Sequence, residues 1–180
     1  QKFNAEDENR LVKILNPLSQ DLGVLRQTLV YGGLEVVQRN INRQTGSIKV
    51  FEFGKSYFKE AASNYREDEQ IMLLLSGKDT AENWNGKPQE ASFFTLKGMV
   101  TAFLAKLGVQ GLEEVVAETA MLNVTLFYKR AEKEFAQLGE VKKEVLAHFG
   151  IEQPVFVAII NWDAVLKAAA KNKIKFQDLS

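Results

Sequence analysis

KVFEFGKSYFKE, from Lys49 to Glu60, is the stretch on which the fold turns. Val50, Phe51 and Phe53 form a β-branched and aromatic run, which suits a pleated, half-buried strand. Gly54 breaks that run and Tyr57 resumes it. A strand, a kink and a second extended piece are shaped like one wall of a substrate site. Yet the side chain that follows is Phe58, which has no charge to offer.

Upstream, LVKILNP (11–17) reads as a short strand stopped at Asn16-Pro17. From Leu22 the apolar period changes. Leu25, Leu29, Val36, Val37 and Ile41 keep a helical spacing, with Asp21 placed as a cap. Gly32-Gly33 interrupts this helix at about 1 kcal/mol each relative to alanine. The helix is therefore expected to bend there or to meet another backbone closely.

Downstream, KEAASNYREDEQ (59–70) reads as a charged loop, and IMLLLSG (71–77) as a strand buried on both faces. GKDTAENWNGKPQE (77–90) reads as a surface loop with Trp84 as its bulky anchor. Ser92 caps a helix whose stripe is Phe93, Leu96, Val100, Phe103, Leu104 and Leu107, and Gly108 stops it. AMLNVTLFYK (120–129) is a strand, and EFAQLGEV (134–141) another with a turn at Gly139. KKEVLAHFG (142–150) is a short helix closed by Gly150. PVFVAIIN (154–161) is a strand, and WDAVLKAAAK (162–171) returns to helix. Strands that cluster rather than alternate with helices predict α+β: a mainly antiparallel sheet with helices mostly on one face.

Composition narrows the chemistry. The chain has 180 residues, 46% of them hydrophobic, enough for one domain with a real core. Twenty-three basic residues balance 23 acidic ones, so there is no broad positive field for nonspecific nucleic-acid binding. The absence of cysteine excludes disulfides, thiolate metal sites and a cysteine nucleophile, and the single histidine excludes a polyhistidine zinc site. No apolar run approaches the ~20 residues of a membrane span. The polar, acidic start is unlike a signal peptide, so a cytoplasmic location is expected.

Single motifs are weak. His148 falls in the last turn of a predicted helix, where a partial positive charge is favourable. Lys49, Lys55 and Lys59 invite a phosphate-cradle reading, but no glycine-rich nucleotide loop accompanies them. Glu67, Asp68 and Glu69 suggest magnesium, which needs ligands converging in an octahedron that three loop neighbours rarely supply. Arg26, Asn40 and Arg43 are placed to reach a carboxylate, though an arginine at a helix end is commonplace.

The order of the elements carries more. Asn16-Pro17-Leu18-Ser19, then Leu25-Arg26 with Leu29, then Asn40 and Arg43, then Phe51-Glu52 with Gly54 and Tyr57, closely resemble the catalytic-like core of the bacterial phenylalanyl-tRNA synthetase β subunit family. SFFTLKGMVTAFLAKLG (92–108) resembles the family's aromatic-rich helix, and LGEVKKEVLAHFGI (138–151) with PVFVAIINWDAVL (154–166) its closing helix and strand. Thr95 departs from a frequent aspartate, and Lys142-Lys143 from a usual His-Pro.

The resemblance implies a class II aminoacyl-tRNA synthetase-like domain: an antiparallel sheet flanked by helices. In active class II sites an arginine follows the Gly-x-x-Tyr turn and stabilises charge on the α-phosphate and the amino-acid carboxylate. Here that position is Phe58. No segment near the C-terminus resembles the second ATP arginine, because neither Gly nor Arg occurs after Gly150. The resemblance thus implies a non-catalytic scaffold and subunit-interface domain, with no catalytic, cofactor or metal residues of its own. It would form part of an α₂β₂ ligase that uses ATP and magnesium to attach phenylalanine to its tRNA. Residues 1–173 are expected to form that core, and 174–180 the start of a linker. Pro17 and the row Val30, Leu34 and Val37 are the expected contact with the α subunit, because the helix is too broadly apolar for one sheet to cover; the alternative is an upstream helix of the same chain covering that row. Two readings compete. One is a freestanding acyl-adenylate or amide-forming enzyme with Lys55 or Lys59 replacing the lost arginine. The other is a small-molecule sensor that uses the vestigial cleft.

Overall fold

The computed structural model describes residues 8–14, 23–61, 64–79 and 89–170. Its centre is a six-stranded sheet in which every pairing is antiparallel. The strands are β1 (Ser47–Ala61), β2 (Asn64–Gly77), β3 (Glu113–Ala117), β4 (Leu122–Arg130), β5 (Lys133–Val141) and β6 (Val155–Asn161). Their spatial order is β1-β2-β6-β5-β4-β3. Strand β6, the apolar run VFVAIIN, is covered on both faces and holds the middle. The helices are α1 (Val30–Asn42), α2 (Phe93–Lys106), α3 (Lys143–His148) and α4 (Trp162–Ala169). The fold is α+β, as expected.

The helices divide between the two faces rather than gathering on one. Val155, Val157 and Ile159 of β6 join Met72, Leu74, α1 and α3 in one core cluster. Phe156, Ala158 and Ile160 join Leu75, α2 and α4 in the other. The period-two alternation of a doubly covered strand produces this division. Capping is local. The Ser92 side chain accepts from the Thr95 N–H at 3.1 Å, and the Asn161 side chain accepts from the Ala164 N–H at 2.9 Å.

Several boundaries move. The glycine at 54 does not break the strand: β1 runs unbroken from Ser47 to Ala61, and the expected charged loop is the far half of a long β1–β2 hairpin. Gly54 instead admits a crossing segment, for a Cβ there would run into the Arg26 guanidinium and lie 3.0 Å from Leu29 Cδ2. Gly139 sits inside β5 rather than at a turn. Strand β3, fully exposed, had no periodic signal in the sequence. The strand expected at 11–15 reduces to one bridge between Lys13 and Val24.

The helix expected from Leu22 begins at Val30. Residues 23–29 satisfy their backbone groups elsewhere. Leu25 N–H donates to Val12 C=O, Ile14 N–H to Gly23 C=O and Tyr57 N–H to Arg26 C=O. Thr28 Oγ1 then accepts from the Val30 N–H at 3.2 Å. Within α1, Gly33 faces the Met72 side chain rather than another backbone. Asn16, Pro17, Asp21, Trp84 and the expected linker at 174–180 lie outside the described residues.

Candidate functional site

The α1 face of the sheet carries an open cleft of about 360 Å³ around Phe58. Strand register builds it. Phe58 pairs with Arg66 and Gly54 with Gln70, so the even-numbered positions of β1 and β2 share the face that holds Met72 and Leu74. Ile159 of β6 and Gln137 of β5, register partners, form part of its lining. Gln27 and Thr28 border it from the irregular segment before α1, and Arg10 from the 3-10 turn Glu8–Arg10.

Two guanidinium groups pack on the Phe58 ring, Arg66 at 4.7 Å from its centroid and Arg10 at 5.1 Å. Contacts of this kind contribute about 0.5–1 kcal/mol each where solvent reaches them. Arg66 is also anchored by carboxylates, with Nη1 3.2 Å from Glu60 and Nε 3.1 Å from Asp68. Arg10 has no ion pair among the described residues. Gln27 lines the same cleft, and its buried Nε2 has no hydrogen-bond partner there.

A second cavity, of about 120 Å³, adjoins the first through Thr28, Gln137 and Ile159. Its remaining walls are mainly apolar: Val30, Met121, Leu122 and Val157.

The other candidates scatter. Lys55, one position of alternation away from Ser56, sits opposite the Phe58 face and is held by Glu67 and Glu69. The hydrogen bond to Glu67 raises its pKa, so it stays a committed cation and not a replacement for a missing arginine in the cleft. The same alternation divides the acidic run, with Asp68 meeting Arg66 while Glu67 and Glu69 meet Lys55. No cluster of three potential metal ligands occurs among the described residues. Lys49 pairs with Asp79 at 2.7 Å. Arg26 pairs with Glu52 at 2.6 Å and donates from Nε to the Lys55 carbonyl at 2.9 Å. Asn40 turns back onto the Val36 carbonyl, Arg43 caps the end of α1, and His148 Nδ1 lies 2.7 Å from the Glu144 carbonyl.

The row Val30, Leu34 and Val37 does not form an outward surface. It is 3%, 0% and 0% exposed and lies in the core with Met72 and Leu74. The arc looked too wide for one sheet only because residues 25 and 29 were counted as helical; once the helix starts at Val30, its apolar positions fit a single buried stripe. Arg10, Gln27 and Gln137 had no sequence signal as cleft residues. Arg66 had none either, since it lies in the stretch read as a charged loop and comes opposite Phe58 only through the β1–β2 register.

The profile of the family described as "Phenylalanyl tRNA synthetase beta chain CLM domain" matches residues 1–162. A phenylalanine–tRNA ligase beta subunit of Bacteroides thetaiotaomicron is 34% identical over 96% of this chain and 22% of its own length. The corresponding subunit of Porphyromonas gingivalis is 32% identical over 93% of this chain and 22% of its own length. The chain thus spans about 22% of these relatives. Among solved structures, a pyrrolysyl-tRNA synthetase of Desulfitobacterium hafniense superposes with a TM-score of 0.66 at 14% identity, over 94% of this chain and 59% of that one. A second structure of that organism's enzyme, PylSc, gives 0.64 at 19% identity, over 89% and 54%. The likeness is one of fold: a class II synthetase-like sheet and helices.

Proposed function

The chain belongs to the phenylalanyl-tRNA synthetase beta chain family, and from that premise we propose that it is the catalytic-like domain of a phenylalanine–tRNA ligase β subunit, without adenylation chemistry of its own. The observation that carries this reading is Phe58 at the head of the cleft, where an aminoacylating site needs a cation free to meet phosphate. Phe58 stands at the position of the lost arginine. Its neighbour Arg66 is anchored by Glu60 and Asp68. Catalysis by charge stabilisation needs donors organised in advance around the developing charge, and a committed guanidinium on a phenyl ring is not so organised.

Magnesium fits this chain no better. Asp68 and Glu60 are engaged by Arg66, and Glu67 and Glu69 occupy the opposite face with Lys55, so no carboxylates among the described residues converge on the cleft. ATP and magnesium belong, in this proposal, to an α subunit with which the β chain forms an α₂β₂ assembly in the cytoplasm, and tRNA is engaged through that assembly. No described helix is long and apolar enough to cross a membrane. The domain's share is scaffold and subunit docking. Val30, Leu34 and Val37 do not serve that docking, since they are spent on the domain's own core.

Isothermal titration of the chain with ATP and magnesium tests the reading. No heat of binding is expected at concentrations up to the millimolar range. A micromolar dissociation constant would overturn it, and would favour a freestanding adenylate-forming enzyme.

A further inference from the structure

We propose that the cleft around Phe58 and its adjoining inner cavity together bind a small carboxylate with a compact branched apolar group. The inference stands on the cavity geometry and does not require the domain to be inactive. The outer cleft is the polar half. It is lined by three glutamines, Gln27, Gln70 and Gln137, and by two guanidinium groups. Arg66 is already neutralised by Glu60 and Asp68, which leaves Arg10 as the available charge among the described residues of the cleft. A guanidinium stacked on an aromatic face keeps its N–H edge for a planar oxyanion, and carboxylate geometry matches that edge with two parallel hydrogen bonds. One uncommitted cation suits one negative charge. Gln27 adds a side-chain amide at the cleft wall whose Nε2 is buried and unpartnered, a group that costs free energy until something accepts from it.

The inner cavity is the apolar half. Val30, Met121, Leu122, Val157 and Ile159 supply its walls. At about 120 Å³ it is smaller than the ~150 Å³ cavity that admits benzene, so it favours a branched alkyl group over an aromatic ring. Because Thr28, Gln137 and Ile159 border both cavities, head and tail can occupy them at once. No acidic residue among the described residues lines either cavity, so the ammonium of an amino acid finds no partner there and a simple acid is preferred. Pockets with an apolar body and a few convergent polar groups are the usual form of a small-ligand site.

The test uses the full-length β subunit purified together with its α subunit, with 3-methylbutanoate as the probe in saturation-transfer NMR. Millimolar binding is expected, weakened about tenfold by Arg10→Gln and unchanged by Arg39→Gln on the exposed side of α1. The neutral amide of the same acid and leucine should both bind at least about tenfold more weakly. Ala120→Leu narrows the inner cavity from an exposed backbone position and should cost binding of 3-methylbutanoate while sparing propanoate. Thermal melting of Arg10→Gln within a degree or so of the parent shows that the variant is folded. The proposal is overturned if binding is indifferent to Arg10→Gln, if leucine or the neutral amide binds as well as the acid, or if inorganic phosphate displaces the probe at equal concentration. ATP binding would count against the inactive-domain reading alone, so the two proposals fail separately.

Discussion

Truncating Leu34 to alanine tests the packing that removed the expected subunit contact. Leu34 is fully buried in α1 against the sheet, in the cluster that holds Met72, Leu74 and Val157. Removing three side-chain carbons forfeits about 2.5 kcal/mol of transfer free energy at ~0.8 kcal/mol each. Incomplete collapse of the cavity raises the cost to about 3–4 kcal/mol. That is a large share of the ~5–15 kcal/mol available to a domain. With a urea slope of about 2 kcal/mol/M, the midpoint should fall by ~1.5–2 M. The assay is urea denaturation of the 180-residue chain followed by far-ultraviolet circular dichroism, with Val36→Ala, only partly buried, as the comparison. Leu34→Asp should go further and unfold the chain at neutral pH, since a carboxylate there has no partner. A Leu34→Ala midpoint shifted by less than ~0.3 M would refute the packing argument. A folded Leu34→Asp chain that failed to retain an α subunit would restore the row as an interface.

Three further outcomes follow from other parts of the molecule. Phe58→Arg should confer no ATP binding by titration and should lower stability by about 1–2 kcal/mol, because it replaces two cation–π contacts with three neighbouring guanidinium groups. Burial holds the Glu134 carboxyl above its ordinary value of 4.5, with Lys129 pulling weakly the other way. The folded chain therefore binds that proton more tightly than the unfolded chain, and stability falls as pH rises from 4.5 through the folded value; Glu134→Gln should stabilise at neutral pH and lose its advantage below pH 4.5 in parallel urea titrations. Phe51 is 76% exposed and Phe53 53%, on the face where Phe53 meets the Trp162 ring edge-on at 5.9 Å. Phe51→Ser should reduce concentration-dependent light scattering of the isolated chain while leaving its unfolding free energy in urea titrations within ~0.5 kcal/mol of the parent.

What the sequence disclosed and what it hid differ by the range of the interactions involved. Helix α2 was legible because its cap, stripe and stop are all local: Ser92, the residues from Phe93 to Leu107, and Gly108 at a φ of +74°. Strand β6 was legible because a six-residue apolar run bounded by Pro154 has few other uses. Helix α1 was misplaced at its start because residues 23–29 carry a helical apolar spacing but answer to distant backbone partners at Val12, Ile14 and Tyr57. Gly54 misled for the same reason. Its lack of a side chain accommodates Arg26, 28 positions earlier in the chain, and nothing within the strand itself signals that need. The cleft was half legible. Phe58 was singled out from its neighbours in sequence, but Arg10, Gln27 and Gln137 reach it only through tertiary pairing. Where local pattern and long-range hydrogen bonding disagreed, the long-range partner won, because a backbone group withdrawn from water must be satisfied by whatever lies nearest in space. The same rule explains why the segment before α1 stays out of the helix: as helix it would leave the Tyr57 N–H of β1 without the Arg26 carbonyl, on the strand that positions Phe58 at the cleft.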